Sequence, residues 1–228
     1  MQDAVVLVTG AGGALGRAVQ ERLLRDGARL ALLDRRPPSS DPGGSPRPWT
    51  AAVDLLDEAA VAAAVDRVEK EVGPVRSALL LAGGFATAPA AEADLAMLRG
   101  QLDLNLATAA SVVRALLPRM GGRGEGTIVG VAAGQARRGG AGAAAYAASK
   151  AALAAYLRAV DEETARRGVR AVTVFPMGTL DTPANRASMP DADPARWIDP
   201  ARLADVLAFV TRVGPRARLR EVEVHPDA

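Results

Sequence analysis

Apolar positions along the chain follow two alternating periods. Short runs of aliphatic and β-branched residues fall at 4–9, 28–33, 49–53, 77–81, 127–131, 169–175 and 220–224. Between them lie longer segments, rich in Ala, Leu and Arg, at 14–25, 57–72, 95–117, 143–167 and 201–212. Their apolar residues return at helical spacing. Most of the strand runs are apolar throughout rather than alternating, so both faces of their sheet are expected to be covered. Strands of this kind separated by helices predict a parallel sheet joined by right-handed crossovers. The expected fold class is α/β: a single-domain, Rossmann-type doubly wound parallel sheet of about seven strands, with helices on both faces, over residues 1–228.

Two segments break the rhythm. Residues 36–48 hold five prolines and two glycines, and a mobile surface loop is expected at 37–48. Residues 177–199 form a long connection carrying Pro183, Pro190 and Pro194. A loop of that length inside a compact domain predicts a substrate lid. Both segments follow the C-terminal ends of predicted strands, the edge at which such sheets bind ligands.

Composition narrows the chemistry. With 228 residues, about half apolar and a quarter charged, the chain is an ordinary globular protein. It has no cysteine, and its single histidine is His225, so disulfides, thiolate metal sites and a Ser-His-Asp triad are not expected. No metal is expected. The formal net charge is +2, and basic residues are interspersed with acidic ones, which does not indicate a nucleic-acid surface. No uncharged apolar run reaches the length of a membrane span. Residues 1–3 lack the basic start of a signal peptide, and cytoplasmic residence is the expectation. Only Lys70 and Lys150 are lysines. Chemistry must therefore come from Tyr, Ser, Lys, Asp, Glu or a bound cofactor, acting on a small-molecule substrate.

The run Thr9-Gly10-Ala11-Gly12-Gly13-Ala14-Leu15-Gly16 follows the first strand and opens the first helix. Glycines let a backbone approach a pyrophosphate closely, and a helix N-terminus presents free N–H groups and a positive dipole end. The alternative is a tight turn without a ligand, but the strand–turn–helix context favours dinucleotide binding. Asp34 ends the second strand, where a carboxylate can accept from both ribose hydroxyls and favour NAD over NADP. Arg35 and Arg36 follow and can instead pair with a 2′-phosphate, so NADP stays possible. Asp54 closes the third strand and can face the adenine or cap the next helix, although Asp57 is better placed to cap.

Tyr146 and Lys150 stand four residues apart near the start of a predicted helix, which puts them on one face. An ammonium beside a phenol favours the phenolate and lowers its pKa, making Tyr146 a candidate acid/base.

The chain resembles the short-chain dehydrogenase/reductase superfamily. The turn at Thr9–Gly16, Asp34, Asp54, the Ala82-Gly83-Gly84 segment, Asn105 and the Tyr146/Lys150 pair come in that superfamily's order and spacing. The resemblance implies that Tyr146 exchanges a proton, Lys150 holds the nicotinamide ribose and Asn105 serves structure and water relay. Three departures stand out. Ala14 replaces a usual glycine. Ala133, thirteen residues before Tyr146, replaces the usual catalytic serine. After Pro176, Thr182 falls one residue late for its cofactor contact, with Thr179 as its rival.

Several segments are similar to the dihydropteridine reductase branch, which lacks that serine. They are Gly13-Ala14-Leu15-Gly16, Ala82-Gly83-Gly84-Phe85, and 180–193 with Thr182, Asn185 and Met189. This resemblance implies NADH as the preferred hydride donor and a quinonoid dihydropterin as acceptor. Phe85 and Trp197 are candidates to stack on a flat ring, with packing as the alternative. Ala133 and Asn185 are further substrate-side candidates. A reductase of another ketone or imine, and a non-catalytic nucleotide-binding scaffold, remain as alternatives. The Ala-rich helices at 95–117 and 143–167 suit close packing about a two-fold axis, and the superfamily pairs them so; a homodimer or homotetramer is expected.

Overall fold

A computed structural model describes residues 3–36, 47–214 and 217–227. β1 (Val5–Thr9) leads into α1 (Ala14–Arg25) and β2 (Arg29–Asp34), followed by β3 (Trp49–Ala52), α2 (Glu58–Glu71) and β4 (Val75–Leu80). The next elements are α3 (Leu95–Leu102), α4 (Thr108–Arg123), β5 (Gly126–Val131), α5 (Gln135–Arg138), α6 (Ala144–Thr164) and β6 (Val169–Pro176). α7 (Pro183–Ser188), α8 (Pro200–Arg212) and β7 (Glu221–Val224) complete the described chain.

The strands form one sheet in the order β3-β2-β1-β4-β5-β6-β7, and every pairing is parallel. Strand order reverses between β1 and β4, which opens a crevice at their C-terminal ends. Thr9, the last residue of β1, lies between Leu33 of β2 and Leu80 of β4. The glycine turn therefore emerges at that crevice.

Both faces of β1 are buried, which explains its unbroken apolar run. Val5 and Leu7 face a core shared with α2, α4 and α6, through Val65, Leu116 and Leu157. Val6 and Val8 face the opposite core with α1 and α8, through Leu23, Leu203 and Leu207. Each fully buried Leu or Val contributes on the order of 1.5–3 kcal/mol, so substituting a polar residue anywhere in β1 opens one of the two cores.

Three expectations need correction. The single helix predicted over 95–117 is two helices joined by one wide π-turn, Asp103–Ala107. α4 then runs past Pro118 to Arg123, because Val112, Val113, Leu116 and Met120 are buried along it and Gly124, at φ 73°, provides its left-handed end. The helix predicted over 143–167 ends at Thr164, followed by a 3₁₀ turn and Gly168 at φ 71°. The lid segment is not irregular throughout, since α7 forms within it. Of the loop expected at 37–48, residues 37–46 lie outside the described residues.

Candidate active site

Two glycines of the turn after β1, Gly10 and Gly16, have no room for a side chain. Gly10 has φ 65°, and a Cβ there would stand 2.7 Å from the Ala82 backbone nitrogen. A Cβ on Gly16 would stand 2.5 Å from the Gly10 carbonyl oxygen, so α1 can close on the turn only with glycine. Gly13 is the N-cap of α1 and offers no side chain, so the first-turn donors of Ala14 and Leu15 are left uncapped toward the crevice. Thr9 Oγ1 accepts from the N–H groups of Leu81 and Ala82 at 3.1 and 3.2 Å, joining the end of β1 to the segment after β4. The buried Gln20 amide donates to the carbonyls of Ala11 and Gly16 at 2.7 and 3.1 Å. Sequence reasoning missed this brace; the available signal was one glutamine on the inward face of an apolar helix.

Asp34 sits at the mouth of the turn. Its Oδ2 accepts from the Gly12 N–H at 2.9 Å and its Oδ1 from the Arg36 N–H at 3.1 Å. Arg35 is exposed beside it. Asp54 is exposed and accepts from the Leu56 N–H at 3.0 Å, while Asp57 caps α2 through the N–H groups of Ala59 and Ala60.

α6 carries Tyr146 and Lys150 into the crevice. Lys150 Nζ is buried and donates to the Val131 carbonyl at 2.8 Å, at the end of β5. Asn105 lies in the π-turn and is fully buried. The wide turn lets its amide exchange two hydrogen bonds with the Gly84 backbone, at 3.0 and 3.1 Å. The same amide donates to Ser149 Oγ at 3.1 Å, and Ser149 donates to the Tyr146 carbonyl at 2.8 Å. Asn105 and Ser149 thus tie α3–α4 to the first turns of α6. A Cβ on Gly83 would stand 2.7 Å from Asn105 Oδ1 and 3.2 Å from Lys150 Nζ. Only glycine lets the segment after β4 lie this close to both side chains.

Burial sets the protonation of the pair. It pushes the Tyr146 phenol up to about 12 and the Lys150 ammonium down to about 8. The expected lowering of Tyr146 by Lys150 does not occur in this structure. The ammonium is directed to the Val131 carbonyl, and desolvation of the phenolate is the cause that acts. Phe85, 58% exposed, meets the Tyr146 ring edge-on, with centroids 4.7 Å apart. This contact covers part of the Tyr146 ring.

Ala133 is buried just beyond β5, and the next residue, Gly134, donates to the Pro176 carbonyl at 2.8 Å. The roots of the two C-terminal loops are thereby joined. The segment 177–199 is joined at its base by the Leu180–Ile198 bridge. Thr179 is half-buried, and its carbonyl accepts from Ile198. The Thr182 hydroxyl caps α7 by accepting from the Asn185 N–H at 3.2 Å, and the Asn185 amide donates to the Leu180 carbonyl at 2.8 Å. Both side chains are thus engaged within this segment itself. Trp197 is half-buried, and among the described residues the one ring pair is Phe85–Tyr146.

The structure therefore gathers Tyr146, Lys150, Asn105, Gly83, Gly84 and Phe85 in one crevice, with the glycine turn and Asp34 at its other end. A glycine turn at the switch point of a parallel sheet, with a Tyr–Lys helix one crossover away, defines a dinucleotide-dependent oxidoreductase. The family model for short chain dehydrogenases matches residues 4–193, and the chain belongs to that family. An uncharacterised oxidoreductase of Staphylococcus saprophyticus is 25% identical over 236 residues, covering 99% of this chain and 98% of its own. The cis-4-hydroxycyclohexanecarboxylate dehydrogenase of Sinomonas cyclohexanicum is 30% identical over 224 residues, covering 91% and 89% of the two chains. The crystal structure of levodione reductase superposes with a TM-score of 0.89 at 25% identity, covering 99% and 97%.

The residues present fit the nicotinamide dinucleotide that this family uses. The side-chain-free N-cap at Gly13 suits a pyrophosphate, and the Asp34 carboxylate at the turn suits ribose hydroxyls. Among the described residues no group of His, Asp or Glu is arranged to hold a metal, and no helix is long and apolar enough to cross a membrane.

Proposed function

We propose that this chain is an NADH-dependent reductase acting on a flat, already conjugated imine or carbonyl, with a quinonoid dihydropterin as its best-matched acceptor. One observation carries the reading. The Tyr146, Lys150 and Asn105 group is held in place, yet the position for a carbonyl-polarising hydroxyl is the buried methyl of Ala133. An acceptor that is activated by its own conjugation needs that hydroxyl least.

When bound, the nicotinamide supplies the hydride. Gly10, Gly12, Gly13, Ala14, Leu15 and Gly16 would hold its pyrophosphate. Asp34 would take the adenosine ribose, favouring NADH, and Asp54 would face the adenine. Ala82, Gly83 and Gly84 would line the nicotinamide ribose, which Lys150 would hold through its ammonium. Pro176 and Thr179 would flank the nicotinamide. Tyr146, protonated throughout the neutral range, would donate its phenolic proton as the acceptor gains charge, so the acceptor takes up one hydride and one proton, two electrons and two protons in all. Phe85, with its free face exposed beside Tyr146, would stack on the acceptor ring, and Trp197 in the lid is the second aromatic for that role.

The names of the relatives supply a second reading, reduction of a ring ketone or oxidation of the matching alcohol. The test is NADH oxidation with freshly generated quinonoid dihydropterin, beside cyclohexanone-type ketones, with NADPH for comparison. Turnover with the pterin well above the ketones is expected. Tyr146→Phe should lower it by about 10²–10⁴-fold while NADH still binds. Ketone turnover alone would remove the pterin, and unchanged turnover in the variant would remove Tyr146 as the acid. Tight NADH binding with no turnover of any acceptor would favour a scaffold.

A further inference from the structure

Arg137 and Arg138 are neighbours on α5, directly after Ala133 and Gly134, yet they are engaged differently. Arg137 takes the carboxylates on this side of the fold. It pairs with Glu221, lies 3.7 Å from Glu223, and covers the Phe175 ring at 4.1 Å. Arg138 has no carboxylate partner among the described residues. Its Nη2 donates to the Met177 carbonyl at 2.9 Å. The same nitrogen lies 3.0 Å from where a Cβ on Gly134 would stand, so the guanidinium sits close against this glycine. Arg138 is exposed, and this end of its guanidinium lies beside Gly134 and Met177, the residue after Ala133 and the first residue after β6. Both of these residues are held in turn: Gly134 donates to Pro176 at 2.8 Å, and Met177 donates to Val224 at 2.7 Å. Arg138 Nε and Nη1 have no acceptor among the described residues.

We propose that Arg138 anchors a carboxylate on the substrate, beside the position where the usual hydroxyl is missing. The proposal rests on the reductase reading of this site and adds the substrate's charge. A guanidinium is always charged and presents parallel N–H groups that match a carboxylate. One bond to a backbone carbonyl fixes its orientation, so little freedom is lost when a ligand binds. Lys150 does not compete for the anion, because it is buried and bonded to Val131. The lid arginine Arg186 does not compete either, because Asp181 already holds it through two bonds of 2.5 and 2.7 Å. Binding at Arg138 replaces the lost polarising contact with an orienting one: the carboxylate fixes the ring, and conjugation supplies the reactivity.

The test is calorimetric binding to the full-length protein saturated with NAD⁺, using two matched pairs. The first pair is pterin-6-carboxylate against 6-methylpterin. The second is cyclohexanecarboxylate against cyclohexanecarboxamide. The carboxylate member should bind about tenfold or more tightly in at least one pair. Arg138→Gln should collapse that ratio towards one, and Arg138→Lys should retain part of it. A preference confined to the cyclohexane pair upholds the anchor and removes the pterin from the proposed function. Equal binding within both pairs, a ratio that Arg138→Gln leaves intact, or no binding of any member overturns the anchor.

Discussion

Lys150 is one of only two lysines in the chain, and its ammonium lies where little water reaches it. Its pKa falls from the ordinary 10.5 to about 8, whereas Tyr146 rises to about 12. Below pH 8 the ammonium is charged and able to hold a ribose; above it the charge is lost while the phenol stays protonated. The kcat/KM profile of the proposed reductase should therefore fall above about pH 8, with Lys150 as the group responsible. Lys150→Arg, which keeps its charge, should remove that limb from whatever activity remains. A profile flat to pH 10 would show that Lys150 keeps its proton. For stability the sign is opposite. Between about pH 8 and 10.5 the unfolded chain binds the proton that folded Lys150 has released, so this group alone makes stability rise across that window. The pairing of Tyr146 with Lys150 on one helix face was legible from their spacing, whereas Asn105 was marked only by the resemblance to the superfamily. The direction of the Tyr146 shift was not, because it depends on depth and on which acceptor Lys150 chooses. Ser149 and Gln20 were not legible as braces either, since a single polar residue on a helix makes no pattern.

At the scale of elements, the inner strands and long helices were readable because their apolar runs match buried faces, while the edge strands β3 and β7 bury no residue fully. The π-turn was not: one extra residue in a helix leaves the apolar spacing on either side nearly unchanged. α7 was hidden because it buries no residue, so it has no apolar stripe. Its signature was instead Thr182-Pro183, a capping residue followed by a proline suited to the first helical position. The cap assigns a testable role to Thr182. Thr182→Ala removes the acceptor for the Asn185 N–H and should destabilise α7 by about 1 kcal/mol. Amide exchange over 184–188 should quicken while NADH affinity holds. Loss of NADH affinity with normal exchange would instead make Thr182 a cofactor contact.

At the scale of the whole molecule, the order of the strands brings residues far apart in sequence to one edge, and alternation of strand and helix was enough to foresee it. Association is a separate matter. α6 leaves Ala144, Ala148, Ala155 and Ala159 exposed along one side, with Ala151 half-buried among them. Small residues at this spacing admit a second helix at close range. A homodimer or larger assembly should sediment at micromolar concentration, and Ala155→Glu should dissociate it without unfolding the chain. A wild-type monomer under those conditions would exclude the pairing. The arginine bias of the surface has a practical consequence. Side-chain amines occur at two places, Lys70, exposed on α2, and Lys150, buried in the crevice. An acylating dye therefore has one accessible side-chain target and one shielded by the fold, so a fluorophore can be seated on α2, away from the chemistry, without engineering a cysteine.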